Sequence, residues 1–154
     1  MRYHMQDTKK IIEQLNDITD DKFYQIETEL YLALQTIPNE KKTEAIITFL
    51  SISNWQATSL RSGVWTYYEI ANTNDLLLIS KYLVKTQQKE LANIFTKGIH
   101  DYQNPKYALS FNYPDEWIKE AEIIDTWIFN NENEIIEWKR KVLIEILTSI
   151  ECIR

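Results

Sequence analysis

Apolar positions recur at helical spacing through most of this chain. Phe23, Ile26, Leu30 and Leu34 lie on one helical face, and so do Ala45, Phe49, Ile52, Gln56 and Leu60. Leu91, Ile94, Phe95 and Ile99 form a third stripe, Trp117, Ala121, Ile124 and Ile128 a fourth, and Ile135, Trp138, Val142, Ile146 and Ile150 a fifth. The pattern predicts a short helix over 4–16 and a turn at 16–21. A second helix is expected to end at Pro38, with Asn39 free to cap the next. The third segment, 40–60, contains the β-branched run Ile46-Ile47-Thr48-Phe49-Leu50-Ser51-Ile52, but no hairpin signal flanks it, so it reads as helix. After a break at 59–63 come a short aromatic helix over 64–71 and a turn at Asn72-Thr73-Asn74. A helical hairpin over 75–85 and 87–99 follows, with Thr86 as its second cap. Residues 102–113 form the one substantial loop, holding Pro105 with Tyr102, Tyr107, Phe111 and Tyr113. Pro114 then opens a helix, and Asn131 with Glu134 has capping-box spacing before the last one.

Composition strengthens this reading. The 154 residues include two glycines, Gly63 and Gly98, and three prolines, where average usage gives about eleven glycines. Tight hairpins and phosphate-cradling loops need bare backbone, so a β-sandwich, a Rossmann domain or a P-loop is disfavoured. The expected architecture is an all-α, single-domain bundle of seven or eight helices spanning 1–154.

Charge narrows the function classes. The formal net charge is −6, unevenly distributed, and the window 115–137 holds eight carboxylates against Lys119 alone. These are Asp115, Glu116, Glu120, Glu122, Asp125, Glu132, Glu134 and Glu137. A nucleic-acid binder carries the opposite sign, so direct nucleic-acid binding is not expected. The acids of the 114–130 helix fall on two flanks of its apolar face. That is the pattern of a core-packed helix with wet sides; the sharper alternative is that these flanks, with Glu132, Glu134 and Glu137, offer a negative surface to a basic protein. Tyr107, Phe111 and Tyr113 of the aromatic loop are a second candidate interface, with a lid over the bundle end as the plain alternative.

Little else carries chemistry. His4 and His100 stand alone, and Cys152 is the single cysteine, so neither a zinc site nor a Cys–His pair can be assembled from sequence. No metal, cofactor or catalytic constellation is expected. Lys139 falls near the middle of the last apolar stripe, where it either snorkels outward or pairs with a carboxylate. The opening Met-Arg-Tyr-His-Met-Gln-Asp has no apolar signal core and no run reaches membrane-span length, so a cytoplasmic location with no membrane partner is expected.

From residue 40 onward the chain resembles a family of small acidic helical bacterial proteins whose founding member is described as a DNA mimic. Ser62-Gly63-Val64-Trp65-Thr66-Tyr67-Tyr68 is similar to the family's Asn-Gly-Gly-Phe-x-x-Tyr-Phe segment. Leu91-Ala92-Asn93-Ile94-Phe95 and Ile124-Asp125-Thr126-Trp127-Ile128-Phe129 correspond to its phenylalanine-bearing and late acidic-aromatic helices. The resemblance implies a non-catalytic helical protein acting on a protein partner, such as a nucleic-acid-binding protein. The chain also looks like toxin-neutralising immunity proteins, whose carboxylates block a basic nuclease surface. A helical scaffold working through the aromatic loop is the remaining alternative.

Overall fold

A computed structural model describes the backbone of residues 5–110 and 112–153, and the side chains of 8–110 and 112–150. The chain is all-helical: among the described residues there are nine α-helices, seven of them at least seven residues long, and no strand. They are α1 (Met5–Asp17), α2 (Asp20–Gln35), α3 (Glu44–Ser62), α4 (Trp65–Ile70), α5 (Thr73–Lys85), α6 (Lys89–Lys97), α7 (Pro105–Ala108), α8 (Asp115–Asn130) and α9 (Glu132–Ile153). A 3₁₀ turn spans Asn39–Lys41. The β-branched run 46–52 lies inside α3, where tertiary burial of Ile46, Phe49 and Ile52 outweighs its strand propensity. The loop between α6 and α8 contains one helical turn, α7, opened by Asn104, whose side chain accepts from the Lys106 N–H.

The chain divides into two compact units. The first comprises residues 1–50 and 133–154. Its buried set includes Leu15, Phe23, Leu30, Leu34, Phe49, Ile135, Trp138, Val142 and Leu147. Arg140 is its polar hub. The guanidinium donates to the carbonyls of Leu15 at 2.7 Å and Ile18 at 2.9 Å, pairs with Asp20 at 3.1 Å, and lies over the Phe23 ring. It thereby satisfies carbonyls at the C-terminal end of α1. Lys139 does not snorkel; it is buried and donates to Glu27 at 2.6 Å.

The second unit, residues 51–132, contains the rest of α3 and α4 to α8. Here α6 packs against both α5 and α8. Its centre is the chain Trp55, Tyr68, Phe95. The Trp55 indole N–H donates to the Tyr68 hydroxyl at 2.9 Å, and that hydroxyl donates to the Phe95 carbonyl at 2.6 Å. Gly98 permits this arrangement: a Cβ there would lie 2.3 Å from a Tyr68 ring carbon. Gly63 adopts φ +95° just after α3 and supplies the left-handed residue that ends that helix.

Several expected caps work differently. α2 ends at Gln35, three residues before Pro38, and the Thr36 hydroxyl donates back to the Ala33 carbonyl. Asn39 does not cap α3: its side chain accepts from Lys42, and Thr43 accepts the Ile46 N–H instead. Thr86 closes α5 by donating to the Tyr82 carbonyl, and α6 begins only at Lys89. Asn131 likewise donates its side-chain amide to the Trp127 carbonyl rather than capping α9. With few glycines, helix C-termini are closed by side-chain donors.

Candidate functional site

The second unit carries most of the residues singled out from sequence. Trp117 of α8 stacks on His100 with ring centres 4.7 Å apart and a 7° interplanar angle. Tyr102 and Tyr107 approach Trp117 at 5.0 and 5.1 Å, and Tyr113 meets Tyr102 at 4.9 Å. Trp65 of α4 reaches the cluster through Tyr113. Two carboxylates close it: Glu120 bonds His100 at 2.5 Å, and Glu69 accepts from the Tyr113 hydroxyl at 2.6 Å. Burial, and then the neighbouring Glu120 and Glu69, push the Tyr102 hydroxyl up to about 12. Tyr113 is raised to about 12 by burial and by its bond to Glu69. Tyr67 and Tyr68 are also raised, chiefly by burial.

The aromatic loop is therefore folded onto the unit. Tyr102 and Tyr113 are buried, Tyr107 is half-buried, and Phe111 lies outside the described residues. Of the candidate interface residues in this loop, Tyr113 has its ring packed on Trp65 and Tyr102.

The acidic window separates into three groups. Asp115, Glu116 and Glu122 are exposed on α8, and among the described residues none makes an ion pair. Glu120 and Asp125 are half-buried and engaged, contrary to their expected exposure. Glu120 holds His100, while one Asp125 oxygen accepts from the Ser59 hydroxyl at 2.6 Å and the Val64 N–H at 2.9 Å. Asp125 thus satisfies the backbone where α3 gives way to α4. The remaining acids, Glu132, Glu134 and Glu137, are exposed, and Glu137 lies 3.5 Å from the Arg140 guanidinium.

The outer face of α8 holds what the sequence reading missed. Ile118, Ile123 and Phe129 are exposed, Phe129 by 76%. At 100° per residue, Asp115, Ile118, Glu122 and Phe129 share a stripe about 60° wide. The buried face of the same helix is Ala121, Ile124 and Ile128, with Trp117 half-buried beside them. Trp127 ties α8 to α6 by donating to Glu90 at 3.0 Å. The stripe was legible in principle: Ile118 and Phe129 fall on one flank of the core face, about 90° and 110° from its centre, where a purely solvated surface is polar.

Among the described residues no group of three or more His, Cys, Asp or Glu side chains is placed to hold a metal ion. His4 lies outside the described residues, and nothing is described of the Cys152 side chain. No described helix is long and apolar enough to cross a membrane. No family model, curated protein or solved structure matches the chain.

Proposed function

We propose that this chain is a non-catalytic protein-binding inhibitor or regulator whose α8 face engages a basic protein. The observation that carries the reading is the stripe on α8, where unpaired Asp115 and Glu122 alternate with exposed Ile118 and Phe129. Carboxylates alone are explained by solvation. Carboxylates interleaved with large exposed apolar groups fit an interface with an apolar centre and a charged rim. The family resemblance implies the same kind of action. The partner is a basic protein, either one that binds nucleic acid or a toxin, and a toxin gene beside this one would make the chain an immunity protein. The aromatic-loop alternative loses support because Tyr102 and Tyr113 are spent on internal packing.

The test is capture from the native cell with the wild-type chain and with the triple variant Asp115→Lys, Glu116→Lys, Glu122→Lys as baits. A basic protein held at about 50 mM salt, released at several hundred millimolar and lost by the variant supports the reading. A partner held equally by both baits removes the α8 face from the account.

A further inference from the structure

The second unit also has an exposed face of opposite sign. On α5, Leu77 and Val84 are exposed by 54% and 57%, and Lys81 stands exposed between them. These three residues span about 60° of the helix circumference. Lys81 makes no ion pair among the described residues. The adjoining α6 adds exposed Lys89 and Lys97, and its single acid, Glu90, is engaged by Trp127.

The two stripes have matching designs. On α5 a cation separates two apolar side chains, Leu77 and Val84; on α8 an anion, Glu122, separates Ile118 and Phe129. The α5 stripe runs about 10 Å and the α8 stripe about 16 Å at 1.5 Å per residue, so the longer can accept the shorter. No ion pair joins Lys81 to Glu122 within one chain. We propose that the α8 stripe of one copy of this chain docks on the α5 stripe of a second copy, pairing Glu122 with Lys81 and covering Ile118 and Phe129 with Leu77 and Val84. The two stripes are different surfaces, so the contact is heterologous: each copy keeps one free acidic and one free basic face, and association continues head to tail. The inference rests on the same α8 face as the proposed function and adds a competitor for it, a second copy that a basic partner must displace.

The experiment uses the purified full chain alone, so it reports independently of any basic partner. Sedimentation velocity at about 20 mM salt and rising concentration is expected to give a mass growing beyond one chain, collapsing to monomer near 500 mM salt. Lys81→Gln with Val84→Ser breaks only the α5 stripe; Glu122→Gln with Phe129→Ser breaks only the α8 stripe. Each variant alone is expected to be monomeric at low salt. Mixed at equal amounts, they are expected to form a complex of two chains and no more, because each supplies the one intact stripe the other lacks. Circular dichroism melts confirm that both fold, and Leu77→Ser or Ile118→Ser replaces either pair that does not. A wild-type chain that stays monomeric at low salt and high concentration overturns the proposal. So does a mixture that stays monomeric, or self-association that survives in either variant.

Discussion

Tyr68→Phe removes one oxygen from the second unit, and its cost can be worked from the surroundings. That oxygen accepts from the Trp55 indole at 2.9 Å and donates to the Phe95 carbonyl at 2.6 Å. Trp55 is fully buried and Tyr68 is 3% exposed, so water cannot take over either bond without disrupting the packing. The Phe95 carbonyl lies in the last turn of α6, where no following helical N–H is in place to reach it. The ring remains and no cavity forms, which leaves hydrogen bonding as the whole of the loss. An orphaned buried donor costs about 1–3 kcal/mol and the lost bond to the carbonyl about 1 kcal/mol more, giving roughly 2–4 kcal/mol. With a urea m-value near 2 kcal/mol/M, the midpoint falls by about 1–2 M with the slope unchanged. Tryptophan fluorescence is the natural probe, because Trp55, Trp65, Trp117 and Trp127 all belong to this unit. In a Trp55→Phe background the same substitution should cost less, since the indole donor is already gone. A Tyr68→Phe midpoint within about 0.25 M of wild type would refute the reasoning.

Gly98→Ala should destabilise the chain at the upper end of about 1–3 kcal/mol, because its Cβ meets a Tyr68 ring already fixed by two hydrogen bonds; a urea midpoint equal to wild type would show that the ring yields freely. Tyr102 and Tyr113 hold their protons more tightly folded than unfolded. Their contribution is therefore complete below pH 10 and lost as pH rises through about 12, so melting temperature should fall across that window. Phenolate absorbance that rises fully near pH 10 in the folded chain would contradict this. Lys139→Met leaves Glu27 without its buried cation and should cost about 3 kcal/mol or more, whereas adding Glu27→Leu should recover most of the loss; equal melts for the single and double variants would reject the pair as the cause.

The helical architecture was legible because periodicity and the shortage of glycine point the same way. The β-branched run in α3 was read correctly as helix, since no turn chemistry flanks it. Capping was less legible. Thr86 and Asn131 have residue types that both open and close helices, and local sequence does not say which; in the fold both donate backward to carbonyls of the preceding helix. Tyr68 and Arg140 do the same for α6 and α1 from 27 and more than 120 residues away, which no local pattern reveals. The acidic window was visible as a count, but its division was not. Glu120 and Asp125 are indistinguishable in sequence from Glu122 until His100 and the Val64 N–H arrive beside them. The aromatic loop was open to two readings, and which of its rings pack inward was not visible: Tyr102 and Tyr113 pack on Trp117, while Tyr107 stays half-buried.

The proposed docking face for a basic protein consists of the exposed carboxylates and apolar groups of α8. The most direct measurement is the affinity of the captured partner for the wild-type chain and for the Asp115→Lys, Glu116→Lys, Glu122→Lys variant, titrated at several salt concentrations with folding checked by circular dichroism. All three positions are exposed, but Asp115 and Glu116 lie in the first turn of α8, so their reversal against the helix dipole should cost about 1–2 kcal/mol and leave the chain folded. The variant is expected to lose about 100-fold or more in affinity at low salt, and the wild-type affinity to fall steeply as salt rises. An affinity within about threefold of wild type in the folded variant, at every salt concentration, would contradict this docking face.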